Sequence, residues 1–132
     1  MKYFTIAELS RSDVAARRGI VNTPGPTETA NLTALVDNVL DPLREAWGRP
    51  ITVNSGYRCP ALNKAVGGVA SSQHLTGHAA DITTGNSVDN RRLFEMVQRL
   101  GLPFDQLIDE SDFTWIHISH DPRRNRRQIL KL

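Results

Sequence analysis

An α+β fold with a small antiparallel sheet is what this sequence predicts. Three observations carry that expectation. A long apolar stripe at three- and four-residue spacing marks a helix between residues 27 and 47. Short strand-like runs recur at residues 51–54, 79–83, 104–108 and 114–119, interleaved with helices. A tight acidic turn between two of the runs asks for antiparallel pairing. At 132 residues the chain has the length of one domain with a real core, so residues 1–132 are read as a single domain.

The elements follow in order. Phe4–Leu9 reads as a short extended or capped segment. Ser12 caps a helical turn through Arg18, with Asp13 in its first turn and Gly19 at its end. Thr23-Pro24-Gly25-Pro26 is a stiff loop. In the helix Thr27–Trp47, Leu32, Leu35, Val36, Val39, Leu40 and Leu43 form the apolar stripe. Pro42 interrupts it, so a kink or break is expected near Asp41, and Gly48 is a C-cap. Ile51–Asn54 is a strand, Ser55–Arg58 a turn or bulge, and Pro60–Val66 a helical turn closed by Gly67-Gly68. Ala79–Thr83 is a buried strand. Ser87–Leu100 is a helix with Leu93, Met96, Val97 and Leu100 on one face, followed by Gly101 and Pro103. Phe104–Ile108 and Thr114–Ser119 are strands joined by Asp109-Glu110-Ser111-Asp112.

Composition excludes several classes. A net charge of +2 implies no global electrostatic partner. The single cysteine, Cys59, rules out an intramolecular disulfide and any multi-cysteine zinc finger. No run approaches the ~18 apolar residues of a membrane span, and no signal peptide is visible at the start. Cytoplasmic synthesis is therefore expected, with action elsewhere only after lysis or delivery by another component. The basic segment Arg123-Arg124-Asn125-Arg126-Arg127, in a tail of about 121–132, reads as a solvated terminus. Attraction to an anionic polymer is its functional alternative. No nucleic-acid module accompanies it, so a nucleic-acid partner is not expected.

The chemistry concentrates at two places. His74 and Asp81 stand seven apart around Gly77, whose freedom lets the backbone turn so that both converge. Period two on the last strand puts Trp115, His117 and Ser119 on one face and Ile116 and Ile118 on the core face. Two imidazoles and a carboxylate form a three-ligand zinc set that leaves a fourth position to water. A water bound there is a hydroxide-like nucleophile near neutral pH. A buried Asp81 would also need a cation to offset its desolvation.

These residues resemble a known family. Ser72, His74, Gly77, Ala79 and Asp81 match the pattern S-x-H-x-x-G-x-A-x-D, and Trp115-Ile116-His117-Ile118-Ser119 matches W-[IV]-H-[IV]-S. Both belong to the zinc D-Ala-D-Ala carboxypeptidases, which include phage endolysin peptidases; hedgehog signalling domains carry a similar zinc site. The resemblance spans about Phe4 to Ser119. It implies one zinc ion on His74, Asp81 and His117, and hydrolysis of D-amino-acid peptide bonds in peptidoglycan stem peptide, as a carboxypeptidase or an endopeptidase of phage or prophage type. It implies that Arg58, in Ser55-Gly56-Tyr57-Arg58, binds the substrate's free carboxylate. Ser72 and Gln73 are the other substrate-binding candidates, Gln73 as a donor to a substrate carbonyl. Many members carry an acidic base three residues before the last His; here that residue is Thr114. Others place a Glu about six residues before it, which makes Glu110 the first choice for the base and Asp112 the second. If neither serves, the same fold would be a non-catalytic zinc-containing binding module.

Overall fold

The structure, a computed structural model, describes all of residues 1–132. Thr5 Oγ1 accepts from the Glu8 N–H at 3.1 Å, so the capped alternative at the start is the one realised, as helix α1 (Ile6–Ser10). Ser12 caps α2 (Asp13–Arg18), and Gly19 ends it at φ 66°. The long apolar stripe forms α3 (Pro26–Leu35) and α4 (Asp41–Trp47), joined without a break through a π turn, Val36–Leu40. The kink expected at Pro42 is absorbed there. The Asp41 N–H reaches back five residues to the Val36 carbonyl, which widens the turn just ahead of a residue with no N–H. All six stripe residues from Leu32 to Leu43 are fully buried. Each contributes roughly 1.5–3 kcal/mol relative to an exposed side chain.

Strands β1 (Thr52–Ser55), β2 (Ala79–Thr83), β3 (Gln106–Glu110), β4 (Trp115–Ser119) and β5 (Gln128–Lys131) form one sheet in the order β1-β2-β4-β3-β5. The first four pair antiparallel, as expected. The fifth does not fit that expectation: β5 runs parallel to β3, so the sheet is mixed. It comes from the segment read as a solvated tail, whose Arg126 is tied to buried Asp105 before the strand begins.

The helix α5 (Pro60–Ala65) follows β1, and α6 (Ser87–Arg99) packs on the sheet beside β4. Leu93 and Val97 of α6 are fully buried, but Leu100 sits beyond its end and is 44% exposed, outside the apolar face expected to include it. Ala80, Ile82, Leu107, Ile116 and Ile118 form the sheet's buried layer and join the helical stripe in one core. No helix is long and apolar enough to cross a membrane.

β3 and its turn lie two residues later than expected. Glu110 is the last residue of the strand, and the turn is carried by Ser111, Asp112 and Phe113 at φ 50°, 54° and 61°. Without a glycine, that left-handed run is held by side chains. Asp109 accepts from the Phe113 N–H at 2.6 Å, and the Thr114 hydroxyl donates to the Ser111 carbonyl at 2.6 Å.

Candidate metal centre and its cavity

Asp81 on β2 lies directly opposite His117 on β4, and Ile108 on β3 is opposite His117 on the other side. Alternation then places Asp81, His117, Trp115, Ile108 and Glu110 on one sheet face, while Ile82, Ile116 and Ile118 point into the core. His74 reaches the same face from the 3₁₀ turn Gln73–Thr76. Gly77 ends that turn at φ 79°, and a β-carbon there would stand 2.6 Å from the Glu28 carbonyl oxygen. Glycine is required at this position for conformation and for space.

Ligating atoms of His74, Asp81 and His117 lie within 4.8 Å of one another. Asp81 Oδ1 is 3.3 Å from His74 Nε2 and 3.1 Å from His117 Nδ1. Ligand bonds of about 2.0–2.1 Å at a tetrahedral metal separate donor atoms by roughly 3.3 Å, so the spacing fits. The protonation fits as well. His74 Nδ1 stands 2.7 Å from the Gly56 carbonyl, which can only accept. The N–H is therefore on Nδ1, and with no second proton on the ring Nε2 turns a lone pair toward a carboxylate oxygen. Two acceptors face each other there unless a proton or a cation lies between them. Burial pushes the Asp81 carboxyl up, but His117 and His74, when a ring proton lies between them and the carboxylate, outweigh this and hold it well below the usual carboxylate range.

The cluster floors an open cavity of about 430 Å³ whose lining includes Arg58, Ser72, Gln73, Glu110 and Trp115. Arg58 is held on three sides. Nε donates to Ser55 Oγ at 3.1 Å, Nη1 donates to Asn63 Oδ1 at 3.3 Å, and Nη2 is 3.6 Å from Asp81 Oδ2. Its backbone N–H donates to the His74 carbonyl at 3.0 Å, which joins the Arg58 segment to the metal turn. Burial raises the Glu110 carboxyl above its ordinary value, with repulsion from Asp81 adding to it. Asp112 is 90% exposed, pairs with Lys131 at 3.4 Å and does not line the cavity. Thr114 is spent on its own turn.

Other expected residues play different parts. Ser72 Oγ accepts from the His74 N–H at 3.2 Å, capping the turn that carries the ligand. Gln73, expected as a donor to substrate, instead donates through Nε2 to Asp105 Oδ2 at 2.8 Å. His78 stands outside the cluster, with Nδ1 2.6 Å from Thr76 Oγ1, and His120 Nδ1 is 2.6 Å from the Pro103 carbonyl.

Sequence reasoning missed the supporting residues. A β-carbon on Gly56 would lie 2.2 Å from the Leu9 carbonyl oxygen, so only glycine can present the carbonyl that orients His74. Asn63 and Asp105 gave no signal, because a lone Asn on a helical turn and a lone Asp near the start of a strand are common surface residues.

Residues 2–119 match the peptidase M15 family. The chain belongs to that family. Among the relatives of this M15 chain is a zinc D-Ala-D-Ala carboxypeptidase of Streptomyces albus G, 42% identical over 85 residues. That alignment covers 63% of this chain and 32% of the relative, so the chain matches about a third of that protein's length. The M15 match ends at Ser119, the last residue of β4, and the strand β5 lies beyond it.

Proposed function

We propose that this M15 chain is a zinc-dependent peptidase that hydrolyses D-amino-acid peptide bonds in peptidoglycan stem peptides, acting as a carboxypeptidase. One observation carries the reading. A two-imidazole, one-carboxylate cluster shares a sheet face and a cavity with an unpaired carboxylate, Glu110, and a guanidinium, Arg58. The Streptomyces relative's name supplies the metal and the substrate class.

His74, Asp81 and His117 would hold the zinc. When bound, it supplies a Lewis acid and lowers the pKa of a coordinated water toward neutrality. Glu110 takes the proton of the attacking water on a carboxylate oxygen and delivers it to the leaving amine. Its raised carboxyl suits a base that must also act as an acid, and a cation in the cluster would offset the repulsion from Asp81. Arg58, fixed by Ser55 and Asn63, keeps N–H groups free for the substrate's terminal carboxylate, which a guanidinium takes as a fork. Glu110 in the cavity also argues against the non-catalytic reading, which depended on a missing base.

The test is hydrolysis of a stem pentapeptide ending in D-Ala-D-Ala and of its C-terminal amide. The acid should be cleaved, cleavage should stop with chelator and return with zinc, and the amide should be cut far more slowly. Equal cleavage of acid and amide would remove Arg58 from its assigned role. Full activity after chelation would remove the metal.

A further inference from the structure

The segment after the M15-matched residues is tied to the site through one fully buried carboxylate. Asp105, 0% exposed, precedes β3. Its Oδ1 accepts from the Arg126 backbone N–H at 3.2 Å and from Arg126 Nε at 2.7 Å. Its Oδ2 accepts from Arg126 Nη2 at 3.0 Å and from Gln73 Nε2 at 2.8 Å. Arg126 in turn is locked in place by its neighbours, since the Arg127 N–H donates to the Phe104 carbonyl and the Gln128 N–H to that of Asp105.

A carboxylate only accepts, so Asp105 fixes which way the Gln73 amide faces. The amide nitrogen must turn toward it. The Gln73 Oε1 atom then faces away from Asp105 and is buried without a protein partner. Gln73 is the residue immediately before His74, and its backbone carbonyl accepts from the His78 N–H at 3.1 Å to close the turn. A side chain anchored at one end of a four-residue turn limits how the next side chain can move.

We propose that Arg126 is a positioning residue. Through Asp105 it pins Gln73, and so holds the His74 turn in the geometry that binds the metal. The proposal rests on the reading of His74 as a zinc ligand. Within the basic C-terminal segment, Arg126 is then part of the site's framework.

The test is a double-mutant cycle on zinc affinity, measured on the full chain by competition with a chromophoric chelator. Gln73→Ala and Arg126→Ala should each weaken zinc roughly tenfold, the lower end of what outer partners of metal ligands are worth. The double variant should bind no worse than the weaker single one, because both break the same chain of contacts. Arg126→Lys should fall between wild type and Arg126→Ala, since an ammonium keeps the charge but not the fork. If Arg126→Ala does not fold by circular dichroism, the cycle is run with Arg126→Lys. Lys131→Ala removes a cation of the same segment that does not touch Asp105, and should leave affinity unchanged. Wild-type affinity in Arg126→Ala, losses that multiply to roughly a hundredfold in the double variant, or an equal loss in Lys131→Ala would each overturn the proposal. A wild-type chain that binds no zinc would instead overturn the metal reading itself.

Discussion

Two buried aspartates, one on the sheet and one just before β3, show what separates a self-contained carboxylate from one in a candidate metal cluster. Asp105 is matched by an Arg126 fork and an amide, and its lone pairs are occupied. Asp81 is nearly as buried, but its nearest partners are two imidazole nitrogens, and the closest guanidinium nitrogen is 3.6 Å away. At Asp105 the protein supplies the countercharge itself. At Asp81 it supplies one guanidinium at the edge of ion-pair range and two imidazoles, whose nitrogens can also ligate a cation. Burial alone therefore does not mark a site; burial with an incomplete set of donors does.

Substitutions can break this contrast from either side. The largest effect is expected at Asp81. Asp81→Asn removes the anionic ligand, so zinc content should fall far below one per chain and stem-peptide hydrolysis should drop below detection; metal analysis and a product assay on the same sample check both. Arg58→Ala should leave zinc content unchanged and lower kcat/KM roughly 10–100-fold, the worth of a lost charge-assisted contact. An unchanged kcat/KM would mean that the substrate carboxylate is held elsewhere.

At the other carboxylate the effect should be on stability as well as on zinc affinity. Arg126→Ala strands a buried acceptor and should cost about 1–3 kcal/mol in urea unfolding. The pH dependence is smaller and has a definite sign. Burial pushes the Asp105 carboxyl up, but Arg126 and Gln73 overcome this and hold it at about 2, below its ordinary 3.8. A depressed folded value means that the stabilisation is fully present above pH 3.8 and is lost as pH falls toward 2. Asp105→Asn should flatten the acid limb of the stability curve in that window. An unchanged slope there would mean that Asp105 is not the group being titrated.

The same contrast explains what could be read from sequence. The convergence of His74, Asp81 and His117 was legible because a candidate metal set needs particular residue types, and the intervening Gly77 and the alternation of β4 say how they come together. The long helix was legible from its stripe, and Pro42 announced the irregularity that the π turn supplies. Asp105 was not legible, because its partners lie 32 residues before it and 21 after it, and no local pattern records such pairing. β5 was hidden for a related reason. Its four residues follow a run of arginines that reads as solvated until Arg126 is seen against a buried charge. Glu110 was singled out, but as a turn residue. Its place on the strand depends on a left-handed run at Ser111, Asp112 and Phe113 that the sequence gives no glycine to signal.

The central claim is that Glu110 and the His74, Asp81, His117 cluster form one catalytic unit. The most direct test measures zinc content and stem-peptide turnover on the same preparation of Glu110→Gln, with Asp112→Asn alongside. The account predicts about one zinc per chain in Glu110→Gln with turnover reduced ~10²–10⁴-fold, the usual loss when a general base is removed. Asp112→Asn should retain both zinc and turnover, since its side chain is solvated and bound to Lys131. Wild-type turnover in Glu110→Gln would contradict the account.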